Sequence, residues 1–302
     1  MMLTERPERP PLTDTKKTSI KRTINPKAPF KLELMNFFTL TNPLIQHGRN
    51  VESQNGEDGI IEYIFGILPP ENHRYCVELG AWDGRYLSNC FNLVRNHDWQ
   101  GLFIEANKEK FQKLLINHKE YNNVKCLNKL VEFEGENKLD NFIAEADFPP
   151  QFDLLSIDID GADYFVWEST ERFRPKVVIV EFNPSIPNDV VFVQAKDMAV
   201  NQGASLLALI LLGKQKSYEL VCVTACNAIF VTSEFFPRFN IDSNHISQMY
   251  SPLCNGRIFH GYDSYIHVTG MPHLLWSNTT VASEDFQVLP ISLRRYGDAQ
   301  TE

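Results

Sequence analysis

The chain has 302 residues, 43% hydrophobic and 22% charged, enough to bury one large core with a smaller appendage. Its formal charge of −9 argues against a protein that grips nucleic-acid backbone, which takes a basic surface. The longest apolar stretch, Ala204 to Leu212, is far short of the ~20 residues that span a bilayer. Residues 1–29 are polar and rich in Lys, Thr and Pro, without helical or strand period, which predicts a disordered or loosely attached arm. Its run Lys16, Lys17, Lys21, Arg22 reads as solvated. The absence of an apolar signal core near the N-terminus gives a cytoplasmic location as the expectation.

From Asp58 onward the pattern becomes regular. Gly59 to Leu68 puts Ile60, Ile61, Ile64 and Leu68 on one face and stops at Pro69-Pro70, so it predicts a helix. Strands follow at Tyr75 to Leu79, Gly101 to Glu105, Val124 to Leu127, Phe152 to Ile159 and Lys176 to Glu181. Helices are expected between and after them at Tyr86 to Arg95, Lys108 to His118, Leu139 to Glu145, Ala162 to Thr170 and Ala204 to Gly213. Tyr218 to Val223 and Ala228 to Thr232 predict an antiparallel pair. Alternating strands and helices imply an α/β fold, a mostly parallel sheet covered on both faces. Five such units plus a closing pair is the layout of the Rossmann-like class I methyltransferase fold, a seven-stranded sheet with an antiparallel last strand. The expected domain covers 30–235, and 236–302 form a C-terminal extension packed on it, possessing aromatics and histidines but no period. Cysteines at 76, 90, 126, 222, 226 and 254 lack the spacing of a zinc clip and read as reduced thiols, Cys76 and Cys126 within apolar runs.

Four motifs converge on one end of this sheet. Val77-Glu78-Leu79-Gly80-Ala81-Trp82-Asp83-Gly84 ends a strand in an acid and turns between two glycines into a helical region. Glu105, followed by Ala106, closes the next strand, where a carboxylate accepts both ribose hydroxyls of an adenosine ligand. A dinucleotide loop wants bare backbone against pyrophosphate, whereas this one carries bulky Trp82 and acidic Asp83. Glu78 and Asp83 repel pyrophosphate and suit a cationic sulfonium, so the expected ligand is S-adenosylmethionine, bound by Glu78, Gly80, Ala81, Trp82, Asp83, Gly84, Glu105 and Ala106. Asp158 and Asp160 leave the fourth strand on one face, and Glu181 ends the fifth. Ligands of open α/β sheets sit at the carboxyl ends of the strands, where all four motifs end.

The run from Tyr75 to Pro184 resembles FkbM-type methyltransferases. The likeness rests on Glu78, Gly80, Ala81 and Gly84; on Ile104-Glu105; on Leu155, Ile157, Asp158, Gly161, Ala162 and Asp163; and on Glu181. The resemblance implies methyl transfer from S-adenosylmethionine to a hydroxyl of a sugar, polyketide or related small-molecule or glycan acceptor. Trp82, Ser156 and Asp160 stand where that family usually has Asn, Lys and Glu. The flanks Ser53 to Gly59 and Gly203 to Leu209 look like features of a subgroup, which leaves the acceptor open.

A hydroxyl acceptor needs its proton removed by a base or a metal. Asp160 is the first candidate base and Asp158 the second, with structural capping or acceptor contacts as their alternative roles. Asp158, Glu181 and Asn183 are also the residues to test as oxygen ligands of a divalent metal, against a structural role for the same carboxylates. His245, His260, His267 and His273 have no distinguishing spacing, and Trp167 and Trp276 read as core. Two rival functions remain: a non-catalytic nucleotide-binding module with the same fold, and an NAD-dependent oxidoreductase, which Trp82 disfavours.

Overall fold

The computed structural model describes residues 42–70, 72–252, 256–270, 273–277 and 279–294, so the expected arm at 1–29 lies outside the described residues. Seven strands form one sheet in the order β3-β2-β1-β4-β5-β7-β6. They are β1 (Tyr75–Leu79), β2 (Gln100–Ile104), β3 (Val124–Leu127), β4 (Leu154–Ile157), β5 (Val177–Glu181), β6 (Tyr218–Val223) and β7 (Asn227–Thr232). Strands β1 to β5 pair in parallel, and β7 runs antiparallel to both β5 and β6. This order and direction are those of the class I methyltransferase fold.

Helices cover both faces: α1 (Glu57–Ile67), α2 (Phe91–His97), α3 (Lys108–His118), α4 (Leu139–Glu145), α5 (Asp163–Ser169) and α6 (Leu206–Gln215). β4 is buried along its whole length and β5 up to its final Glu181, as apolar runs without alternation demand. One face packs Trp167, Leu209 and Phe230 together, with the Trp167 and Phe230 ring centroids 4.9 Å apart. The other gathers Ile60, Ile61, Ile64, Cys76 and Phe103.

The expected helix from Tyr86 begins only at Phe91. Turn chemistry wins over the apolar period there, because Asp83 accepts the N–H groups of Arg85 and Tyr86, and Ser88 Oγ accepts those of Cys90 and Phe91. Helix α1 starts two residues earlier than expected, at Glu57. The start of α6 moves to Leu206, where the Ser205 side chain caps it by accepting the Ala208 N–H.

Beyond β7, the short helix α7 (Ile246–Met249) and Tyr250 join the main core, with Tyr250 edge-on to Phe182 at 5.0 Å. The chain then forms the hairpin of β8 (Arg257–His260) and β9 (Ile266–Thr269), and pairs His273–Leu274 with Thr279–Thr280. Among the described residues no helix is long and apolar enough to cross a membrane.

Candidate functional site

The carboxyl ends of β1, β2, β4 and β5 open on a cavity of about 400 Å³. Strand β1 leads into a turn whose Gly80 and Ala81 N–H groups both donate to the Ile104 carbonyl at 3.1 Å. Gly80 has φ 76°, and a Cβ there would overlap the Asp158 backbone carbonyl, so glycine is what lets β1 and β4 close up at this point. A Cβ at position 80 would meet the chain just past β4, at Asp158 and Ile159.

Glu105 is buried against the turn. Its Oε2 accepts the Trp82 N–H at 2.8 Å and its Oε1 the Asn107 N–H at 2.7 Å, which fixes the carboxylate at the cavity wall. Trp82 takes a left-handed φ of 51° and lines the same cavity, its ring lying 3.7 Å from the Lys110 ammonium. Glu78, Gly80, Ala81, Trp82, Glu105 and Ala106 all line the cavity, whereas Asp83 and Gly84 do not. Asp83 closes the following turn, and Gly84, at φ 72°, packs against the His118 ring, whose Nε2 bonds its carbonyl at 2.8 Å.

Glu78 accepts from Ser88 Oγ at 2.5 Å and from the Asn89 N–H at 2.7 Å, yet burial outweighs these bonds and pushes its carboxyl up to about 7. Asp158 and Glu181 bring carboxylate oxygens within 4.8 Å of each other at the ends of β4 and β5. Burial first, then the surrounding acids, raises both. Asp160 sits at φ 59° just past β4, exposed, and its carboxylate has no hydrogen-bond partner among the described residues. Asp163 braces this turn by accepting from Ile159 and Gly161 N–H groups at 2.8 and 2.9 Å.

One carboxylate oxygen each from Asp158, Asp160 and Glu181 lies within 4.8 Å of the others, a donor set suited to a hard cation. Asn183, expected in that set, is used elsewhere: it accepts from Ser185 and donates to the Gln202 carbonyl at 2.9 Å. A cation on the three acids would have to compete with protons, which burial favours on Asp158 and Glu181.

Several cavity residues carried no signal in the sequence: Asn89, Lys110, Lys129, Met198 and Asn201. Gln54 is placed by a loop that two buried acids organise. Asp58 accepts three N–H groups, from Val51, Glu52 and Ser53, while Glu57 holds Asn55 N–H, Thr224 Oγ1 and Asn227 Nδ2. The Ser53 to Gly59 motif was the visible trace of this. A second cavity of about 340 Å³ adjoins the first, sharing Asp160, Glu181 and Asn201. Trp276, expected in the core, is 72% exposed and lines this second cavity, while Trp167 is buried as expected. His245, His260, His267 and His273 line neither cavity.

No family model and no curated protein sequence matches the chain. Solved structures similar in fold include the N-terminal domain of EvdMO1 with SAH bound, at 11% identity and TM-score 0.39 over 60% of this chain and 82% of that one. Another is the citrinin polyketide synthase CMeT domain, at 10% identity and TM-score 0.41 over 58% of this chain and 51% of that one. A third is a SAM dependent methyltransferase from Aquifex aeolicus, at 12% identity and TM-score 0.35 over 57% of this chain and 88% of that one.

Proposed function

We propose that the chain is an S-adenosylmethionine-dependent methyltransferase acting on a hydroxyl of a small-molecule or glycan acceptor. The observation that carries this reading is one cavity that combines Glu105 at the tip of β2 with an acidic wall of Glu78, Asp158 and Glu181. Glu105 is preorganised by two backbone donors and keeps lone pairs for a ribose diol. The acidic wall suits a cationic ligand and opposes a pyrophosphate. When bound, S-adenosylmethionine supplies a methyl group on a positively charged sulfur, and the electron pair of the broken carbon–sulfur bond stays on that sulfur.

The residues of the chain then have separable tasks. Glu105 orients the nucleoside, and Glu78 with the Asp158–Glu181 pair favours positive charge beside it. Asp160, with a free carboxylate at the junction of the two cavities, takes the proton of the acceptor hydroxyl. Positioning supplies most of the remaining effect. Lys110 and Lys129 on the Glu105 side lend the dinucleotide reading its one support.

Calorimetric titration with S-adenosylmethionine, S-adenosylhomocysteine and NAD separates the two. Binding of the first two without NAD is the expected result; NAD alone binding would overturn the proposal. Chelator decides the metal question in the same preparation, full turnover in its presence leaving Asp160 as the base.

A further inference from the structure

We propose that the second cavity is an acceptor subsite for a polyhydroxylated ring, a pyranoside, with Trp276 of the C-terminal segment as its stacking platform. This deepens the methyltransferase reading and rests on it for the word acceptor. The cavity holds about 340 Å³, within the ~300–1,000 Å³ typical of small-molecule sites. It meets the first cavity at Asp160, Glu181 and Asn201, so a ligand seated there has one edge at the acids and the methyl donor's cavity just beyond.

The chemistry of its walls is unusual for a surface hollow. Trp276 is the largest apolar side chain in it and is 72% exposed, an arrangement that leaves a hydrated aromatic face. Apart from the buried Phe182, the other walls are polar: Asp160, Asn201 and Gln202 have side chains with no hydrogen-bond partner among the described residues, and Gly203 leaves backbone bare. An indole face attracts the polarised C–H groups of a sugar ring, while free amide and carboxylate groups at its margin match ring hydroxyls. A purely aliphatic acceptor would leave those polar groups desolvated and unpaired, which is costly. A flat aromatic acceptor would use the indole and waste the amides. A pyranoside satisfies both walls at once.

The test has two arms on the full chain. Calorimetry with S-adenosylhomocysteine on the unsubstituted chain tests the donor reading. With the donor site saturated by it, methyl glucopyranoside, methyl mannopyranoside and cellobiose are titrated at millimolar levels while ligand-observed NMR signals are read, with cyclohexanol as the control. Saturable change with at least one glycoside and none with cyclohexanol is expected. Trp276→Ala should abolish it or weaken half-saturation by about tenfold, Asn201→Ala should weaken it, and Trp276→Tyr should restore a saturable response. No saturable change with any glycoside, or a response indifferent to Trp276→Ala, overturns the subsite. Failure to bind S-adenosylhomocysteine removes the donor reading instead, and the glycoside arm, run without it, is judged by the same criteria.

Discussion

Glu105 and Gly84 occupy neighbouring motifs but separate tasks, and each has its own experiment. The Glu105 carboxylate spends one oxygen on Trp82 N–H and the other on Asn107 N–H, so its position is set before any ligand arrives. Glu105→Gln keeps the shape and removes the charge, and should weaken S-adenosylhomocysteine binding by roughly 10–100-fold, the equivalent of ~1.5–3 kcal/mol for a charge-assisted contact. Unchanged affinity, measured by calorimetry on a folded variant, removes Glu105 from the site. Gly84 behaves differently. An alanine there must adopt φ 72° and push its Cβ into the His118 ring. Gly84→Ala should therefore lower stability by roughly 2–4 kcal/mol in urea denaturation, from left-handed strain plus overpacking. Donor affinity of the folded fraction should stay as it was, because Gly84 is absent from the cavity wall.

At the scale of elements, the loops between strand and helix decide which side chains reach the site. The segment before α6 is the clearest case: Ser205, buried, accepts both the Phe192 and the Ala208 N–H groups, at 3.0 and 3.1 Å, tying the 184–205 excursion to the helix start. Ser205→Ala should cost about 1–2 kcal/mol in denaturant midpoint at unchanged m-value, and a shift near zero would show the cap to be dispensable. The sheet was legible because its evidence is local. β1, β4 and β5 are short apolar runs ending at or beside acids, and the period alone places Glu78, Asp158, Asp160 and Glu181 at the strand ends. The helix expected from Tyr86 starts only at Phe91, because apolar spacing continues through residues 86–90, where side chains cap turns instead. Asn183 looked like a strand-end ligand, and only the folded 184–205 segment reveals its local bonds. The Ser53 to Gly59 motif contains Glu57, but its role is hidden for a different reason: its partners Thr224 and Asn227 lie 167 and 170 residues away. Trp276 reaches Asp160 and Glu181 through tertiary structure alone, which no local pattern encodes.

Across the whole molecule, the concentration of buried acids at one end of the sheet couples stability to pH. The folded chain holds the Glu78 proton up to about 7, against 4.5 for an ordinary glutamate, because burial penalises its charge. Between those values the folded state binds more protons than the unfolded, so this stability is full below the unfolded value and is lost as pH rises through the folded one. For Glu78 alone the loss is on the order of 3 kcal/mol. Asp158, Asp163 and Glu181 are raised by burial too and act in the same sense, while His118, lowered by burial, opposes them. The ligand-free protein should thus melt at its highest temperature near about pH 5 and lose stability toward about pH 8, and Glu78→Gln should flatten the curve. A melting temperature that climbs across that interval would show these acids to be compensated.

The same acids give the donor reading its sharpest test, because S-adenosylmethionine and S-adenosylhomocysteine differ by one methyl group and one positive charge. A unit charge ~5 Å from a carboxylate at an effective dielectric near 20 is worth roughly 3 kcal/mol. Below neutrality Glu78 and Asp158 are largely protonated, and the charged ligand gains little over the neutral thioether. As pH rises, ionisation of the wall attracts the sulfonium and leaves the thioether almost indifferent. The ratio of the two affinities should therefore shift by about tenfold toward S-adenosylmethionine between about pH 6 and pH 8. Binding of the cation should also expel protons, seen as a dependence of the calorimetric heat on buffer ionisation enthalpy, while the thioether expels fewer. Equal pH dependence for the two ligands would mean that the acid wall does not face the sulfur, and the orientation assigned to the donor would be reversed.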